Sequence, residues 1–245
     1  MLKELLLILK QGAVLAVGNV GQRILQFALL PIYTRLLSPA DFGIIEMLTI
    51  FCTFFSLFAL LGTRQGFTRN YLLKEKNSAA DSQNKDKVLN TSIWFVTIWG
   101  ILLSVLGLYF SDSLGHFLLK SNDYNNLMIM SIFWGLGLAF NQIPQAHFLN
   151  NGKMGTFVII STVQLLINLG LIIYWVVWYK MGVEGIIRAN AITQLTFGLG
   201  LNAVLLIKHR YFINVSILKK ILRFGVPAMF SGLLITSFYM IDRLF

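Results

Sequence analysis

Charge is what this 245-residue chain has least of: Asp, Glu, Lys and Arg make up 12% of it, against about 25% in soluble domains. Acids are the scarcer sign, 10 against 20 basic residues. Cysteine occurs once, as Cys52 inside an apolar run, which excludes a disulfide framework and a thiolate metal centre. The three histidines, His116, His147 and His209, stand near the ends of apolar segments without ligand spacing, so surface positions are expected for them. No Ser-His-Asp set, carboxylate pair or phosphate-cradling glycine loop assembles along the chain; neither an enzyme nor a cofactor site is read from it. A net charge of +10 would suit nucleic acid if it lay along one solvated face. The basic residues fall instead between apolar runs, the pattern of membrane topology, and no nucleic-acid partner is expected.

What the chain does have is long apolar segments. Hydrophobic residues make up 56% of it, and the mean hydropathy is +0.72. Seven spans are expected, at about 12–32, 43–61, 91–110, 127–148, 156–178, 185–207 and 226–245. The first is too long for a signal-peptide core and lacks a clear cleavage region, so it is kept as structure. Ser38-Pro39 marks a turn between the first two spans, and Asn150-Asn151-Gly152 another between the fourth and fifth. Lipid-exposed backbone must satisfy its own hydrogen bonds, so the fold class is all-α, a polytopic membrane helical bundle.

Orientation follows from Lys and Arg. With the N-terminus inside, cytoplasmic segments hold fourteen, including Arg64, Arg69, Lys85, Lys87, Lys153 and Arg223, while outer connections hold four, Arg35, Lys120, Lys180 and Arg188. That bias places the N-terminus in the cytoplasm.

The first span is not uniformly apolar. Asn19, Gln22, Arg23 and Gln26 are spaced i, i+3, i+4 and i+7 and share one helical face. An arginine at mid-membrane depth costs on the order of 3 kcal/mol on insertion scales. Either Arg23 snorkels or pairs internally, or its helix lines a polar, cationic cavity. Uncharged stripes recur in the fifth span (Ser161, Gln164, Asn168) and the sixth (Asn190, Thr193, Gln194). Interhelical hydrogen bonds are their ordinary role, with a shared cavity wall as the alternative. Gly135, Gly137, Gly198 and Gly200 are expected to allow close helix approach or bending.

The end of the chain repeats its beginning. Ile221-Leu222-Arg223-Phe224-Gly225 echoes Ile8-Leu9-Lys10-Gln11-Gly12 at an offset of 213 residues. Six spans separate the copies, as two parallel six-helix halves would require. The expected organisation is therefore a six-helix lobe over 1–210 and, over 211–245, a basic connector with the first helix of an incomplete second lobe.

Tyr33-Thr34-Arg35-Leu36-Leu37-Ser38-Pro39-Ala40-Asp41-Phe42-Gly43 resembles the "arLLsPeeFG" connection of polysaccharide flippases. Ile221 to Pro227, followed by Ile241-Asp242-Arg243, is similar to the "lLrfglP…sDr" seventh helix of that family. These are the O-antigen and capsule-repeat exporters of the multidrug/oligosaccharidyl-lipid/polysaccharide exporter superfamily. The resemblance implies alternating-access export of undecaprenyl-pyrophosphate-linked oligosaccharide across the cytoplasmic membrane. Membrane lipid and other surface-polysaccharide assembly proteins are the further partners it implies. On that reading Arg23 contacts phosphate, and Asn19, Gln22 and Gln26 contact sugar or water. Arg64 attracts the anionic head group, unless it only sets topology; Arg243 is a further substrate contact. Asp242 serves as counter-ion or as the site of a coupling cation. Family members carry twelve to fourteen helices, so transport by seven alone is not expected. The alternatives are a multidrug/cation antiporter of the same fold and a non-transporting assembly component. Buried carboxylates, which cation coupling generally wants, are missing from spans one and three to six.

The topology is tested by Ser82→Cys in a protein whose Cys52 has been replaced. The new thiol is expected to resist membrane-impermeant reagents in intact cells; ready labelling would contradict a cytoplasmic 63–90 segment.

Overall fold

The structure, a computed structural model, describes residues 2–27, 34–73, 78–119, 125–209 and 211–244. Among them the helices are α1 (Leu2–Phe27), α2 (Pro39–Leu60), α3 (Thr63–Leu72), α4 (Ser78–Tyr109), α5 (Ser111–Leu119), α6 (Asn125–Asn150), α7 (Met154–Ile172), α8 (Gly182–His209) and α9 (Val215–Leu244). The last turns of α7 widen into a π-helix over Ile173–Trp178. Six of the described helices are long and apolar enough to cross a bilayer. They are α2, α4, α6, α7 with its π-helical end, α8 and α9, so the chain is a multi-pass membrane bundle. The other expected span is helical in α1, but the polar stripe dilutes its hydropathy, and residues 28–32 of that span lie outside the described residues.

Several expected boundaries move, each because polar residues extend an apolar helix. The span expected from Thr91 starts at Ser78 in α4. Much of the expected basic connector is helix, since α8 runs to His209 and α9 begins at Val215. Asn214 makes that start: its Oδ1 accepts from the backbone N–H of Ser216 at 3.0 Å and Ile217 at 3.2 Å, as an N-cap does. Ser38-Pro39 proves to be a helix start as well. Ser38 caps α2, Pro39 takes the first helical position, and Asp41 closes a capping box by accepting from the Ser38 N–H at 2.8 Å. The Leu-Leu-Ser-Pro-Ala-Asp motif is thus a helix-nucleating device. Its buried Leu37 anchors it among Ile172, Val176, Ile186 and Ala189 of α7 and α8.

α6 is the centre of the bundle, with 72% of its span buried, whereas α7 has 11% and presents most of its surface outward. α6 packs on α8, α2 and α4. Backbones come close where side chains are missing. A Cβ on Gly137 would meet Leu195 and Gln194 of α8, and one on Gly198 would lie 2.7 Å from Cβ of Phe140. Gly135 faces Phe55 and the Cys52 carbonyl in the same way, while Gly200 meets nothing. Three of the four expected close approaches are therefore present.

Strand direction has its helical counterpart here. Gly18 faces Val158, and Gln22 donates to Ser161 at 2.7 Å, so α1 runs parallel to α7. α7 begins just after the Asn151-Gly152 turn, beside Lys153. Tyr71 of α3 meets Asn151 at 2.8 Å, and Asn90 of α4 donates to the Tyr211 carbonyl at 3.1 Å. One end of the bundle thus collects the starts of α1, α4, α7 and α9 with the ends of α2, α6 and α8. Most of the described basic side chains, Arg64, Arg69, Lys85, Lys87, Lys153, Lys208, Lys219, Lys220 and Arg223, belong to this end too. His147, expected at the surface, is instead buried at this end, edge-on to Tyr71 at 5.6 Å. The aromatic wall of α3 removes it from water although it sits one turn from the end of α6.

Gly198→Ala and Gly200→Ala make a paired test two residues apart on α8. The first forces a methyl group into α6 and is expected to lower the melting midpoint of the detergent-purified protein, at a cost of roughly 1–3 kcal/mol. The second is expected to be neutral or mildly stabilising, because alanine is the better helix former. Equal midpoints for the two variants would contradict the packing described.

Candidate functional site

Two groups of polar side chains occupy the bundle, and they differ in kind. The first is an amide network in the middle of α6, α7 and α8. Pro144 has no N–H to give the carbonyl four residues earlier, and Asn202 of α8 supplies the missing donor to Phe140 O at 3.0 Å. Asn141 donates to the Gln194 carbonyl and side chain at 2.8 and 3.0 Å, and Gln164 donates to the same side-chain oxygen at 2.8 Å. Asn168 continues the network to Asn190 at 3.1 Å. Gln164 and Asn168 of the fifth-span stripe therefore pair with the sixth-span stripe, the ordinary role of such residues. Asn141 and Asn202 were missed in the sequence; Asn202 stands alone among apolar neighbours, Asn141 is followed directly by Gln142, and Pro144 is the signal that a carbonyl needed a donor.

The first-span stripe divides. Gln22 is half-buried and joins α7 through Ser161. Asn19 and Arg23 remain exposed on α1. The side chains of Gln26, Asp242 and Arg243 lie outside the described residues, although all three positions are helical.

The second group lines a polar crevice of about 150 Å³ at the basic end, where α2, α3, α6 and α9 meet. α2 contributes Thr53 and Ser56, α3 contributes Arg64 and Gln65, α6 contributes Gln142, and Met229 and Gly232 come from α9. The local backbone explains how an arginine arrives there. Leu61 and Gly62 both adopt left-handed conformations, φ 44° and 68°, so α3 departs sharply from α2 and Arg64 falls in its first turn. Gly62 has no room for a side chain because its backbone rests on that of Gly225 in α9. Gly225 belongs to the sequence echo; its counterpart Gly12 touches nothing in this way.

The electrostatics of the crevice are one-sided. Arg64 is exposed at its rim and makes no ion pair among the described residues. Neighbouring protein displaces part of its hydration and lowers its pKa from the ordinary arginine value. An arginine nevertheless keeps its charge. Oε1 of Gln142 is buried without a hydrogen-bond partner. Thr53 and Ser56 spend their hydroxyl protons on backbone carbonyls of α2 at 2.8 Å each. The crevice therefore offers a guanidinium fork that donates and an amide oxygen that accepts, a set suited to an oxyanion flanked by hydroxyl groups. Of the residues expected at a site, Arg64 lies in this crevice, while Asn19, Gln22 and Arg23 do not line it. Gln65 and Gln142 went unremarked in the sequence, where the available signals were the adjacent Arg64-Gln65 and Asn141-Gln142 pairs. No group of three metal-ligating side chains occurs among the described residues.

Comparison with solved structures shows the fold. The chain is similar to an outward-facing multidrug-resistance MATE transporter of the MOP superfamily, with a TM-score of 0.72 and 19% identity over 93% of this chain and 52% of that one. It is equally similar to a MOP-superfamily transporter from Pyrococcus furiosus, with a TM-score of 0.72, 19% identity and the same coverage. The chain spans about half the length of the solved structures it matches. A search of curated proteins found none that matches. The family model for polysaccharide biosynthesis proteins, in contrast, matches residues 8–245. On that match over nearly its whole length, the chain belongs to the polysaccharide biosynthesis protein family, and its fold is that of the MOP-superfamily membrane transporters.

Proposed function

We propose that this chain forms one lobe of a flippase that moves lipid-linked oligosaccharide repeat units across the cytoplasmic membrane, with its N-terminus inside. The observation that carries the reading is Arg64, a guanidinium without an acidic partner among the described residues, in a polar crevice at the basic end of the bundle. Moving such a cargo requires no covalent chemistry. Its pyrophosphate must shed water, and a charged fork aimed at two phosphate oxygens offsets part of that loss. The crevice amides of Gln65 and Gln142 stand where sugar hydroxyls adjoin the phosphate. The lipid tail stays in the bilayer. Arg23, exposed on α1, is assigned as a second phosphate contact and Asn19 and Gln26 as sugar or water contacts; Arg243 is assigned as a further substrate contact and Asp242 as counter-ion or coupling-cation site. Undecaprenyl-pyrophosphate-linked oligosaccharide is the cargo that the family and this chemistry together favour.

A multidrug/cation antiporter is the rival reading on the same fold. It wants acids where this bundle has amides. Among the described residues the interior network is built from Asn, Gln, Ser and Thr, with no carboxylate in it.

Glycan export in a flippase-deficient strain tests the proposal at matched membrane abundance. Arg64→Ala is expected to cut export by roughly tenfold or more, the worth of a lost charge-assisted hydrogen bond. Arg64→Lys should restore only part, since an ammonium keeps the charge and loses the fork. Arg23→Ala should act in the same direction. Full export by both alanine variants would overturn the cargo assignment, and extrusion of a cationic dye in place of glycan would favour the rival.

A further inference from the structure

The end of the bundle opposite the basic crevice carries a charge pair that the transport reading does not use. Glu184 and Arg188 lie one turn apart on α8, with Nη2 of Arg188 donating to Oε1 of Glu184 at 2.6 Å. Both side chains are about one-third exposed, 37% and 34%. Counted among the outer basic residues yet within the expected sixth span, Arg188 stands inside the helix, roughly 9 Å along its axis from Gly182. It forms the single polar wall of a pocket of about 310 Å³ whose other walls are Met130, Phe133, Trp175, Ala191, Ile192 and Leu195. Nε of Arg188 is buried without a hydrogen-bond partner, so the bond to Glu184 leaves most of the guanidinium's donors unused.

The depth of the pocket is marked independently. Tyr174, Trp175, Trp178 and Tyr179 cluster where α7 ends, with the Tyr174 and Tyr179 hydroxyls 3.2 Å apart. Such aromatic clusters sit at headgroup level in membranes. Trp175, in the π-helical turns, is both part of that cluster and a wall of the pocket. A charged pair at headgroup depth therefore opens onto an apolar pocket within the hydrocarbon layer.

We propose that this pocket binds one phospholipid with a primary-amine headgroup: its phosphate on Arg188, its ammonium on Glu184, and an acyl chain in the pocket. The charges select that occupant. An anionic headgroup without an amine gains Arg188 but meets repulsion from Glu184. A trimethylated headgroup has no N–H to give the carboxylate, whereas a primary ammonium has three. A free zwitterion would satisfy the pair and leave the apolar walls unfilled. The site is independent of the cargo crevice and does not rest on the flippase reading.

Native mass spectrometry of the full 245-residue chain, purified in mild detergent, tests the assignment. Phosphatidylethanolamine, phosphatidylcholine and phosphatidylglycerol of identical acyl chains are the probes. One phosphatidylethanolamine is expected to be retained, with about a tenfold preference over either other lipid, one charge-assisted hydrogen bond's worth. Glu184→Gln should lower its retention to that of phosphatidylcholine, and Arg188→Gln should lower retention of all three. Ile192→Trp fills the pocket while leaving the pair intact, and should also release the lipid; it and Glu184→Gln carry the test if Arg188→Gln does not accumulate. Equal retention of the three lipids, a preference for phosphatidylglycerol, or an unchanged preference in Glu184→Gln would each overturn the proposal.

Discussion

An amide placed inside a membrane bundle must find its hydrogen bonds in protein, because lipid offers none. Asn141 and Asn202 spend their amide protons joining α6 to α8, although the Oδ1 of each stays buried without a partner among the described residues, and the rest of the bundle is arranged around the join. Pro144 frees a carbonyl on α6, and Asn202 takes it up at 3.0 Å. Gly137 and Gly198 let the two backbones approach closely enough for the amides to reach. Gln194 then carries the network outward to Gln164 on α7, and Gln22 ties α1 to the same helix. Each such bond contributes only about 0.6 kcal/mol in a membrane. Their larger effect is to fix register, since sliding one helix by a residue would strand several donors at once.

This arrangement separates neutral polarity from charge. The interior network holds amides and hydroxyls, whose hydrogen bonds go to one another and to backbone carbonyls. Arg64 sits in the crevice at one end and Arg188 with Glu184 near the other, while Arg23 stays exposed on α1 outside the network. A guanidinium placed within the amide network would lose hydration without gaining a counter-charge. At a crevice mouth it keeps water while idle and can exchange that water for phosphate. The Leu61-Gly62 turn, resting on Gly225, is what holds Arg64 there. It also links the α2–α3 corner to α9, so movement of α9 would bear directly on the crevice.

Much of the fold could be read in advance because a membrane helix announces itself by length and hydropathy. The pairing of the fifth- and sixth-span stripes was legible for a related reason: amides repeating at helical spacing have few other uses in lipid. Boundaries were less so. The polar first turns of α4 carry no apolar signal, the amphipathic start of α9 is broken up by Lys219, Lys220 and Arg223, and the Ser38-Pro39 step reads as a turn until Asp41 is seen to close its cap. Burial of His147 depended on α3, a helix too polar to count as a span. The crevice was legible only in Arg64, because its other polar walls are contributed by separate helices. Gln65 and Gln142 are 77 positions apart in sequence, and only the close contact of α2, α3, α6 and α9 brings them together.

The central claim is that Arg64 serves cargo, whereas the amide network serves the fold. Binding of a short-chain polyprenyl pyrophosphate to the detergent-purified protein, measured beside the melting midpoint, tests it most directly. Arg64→Gln should weaken binding by about tenfold or more and leave the midpoint unchanged. Undiminished binding would show that the crevice is not where the phosphate goes, and a midpoint that falls together with binding would show that the arginine instead holds the structure together.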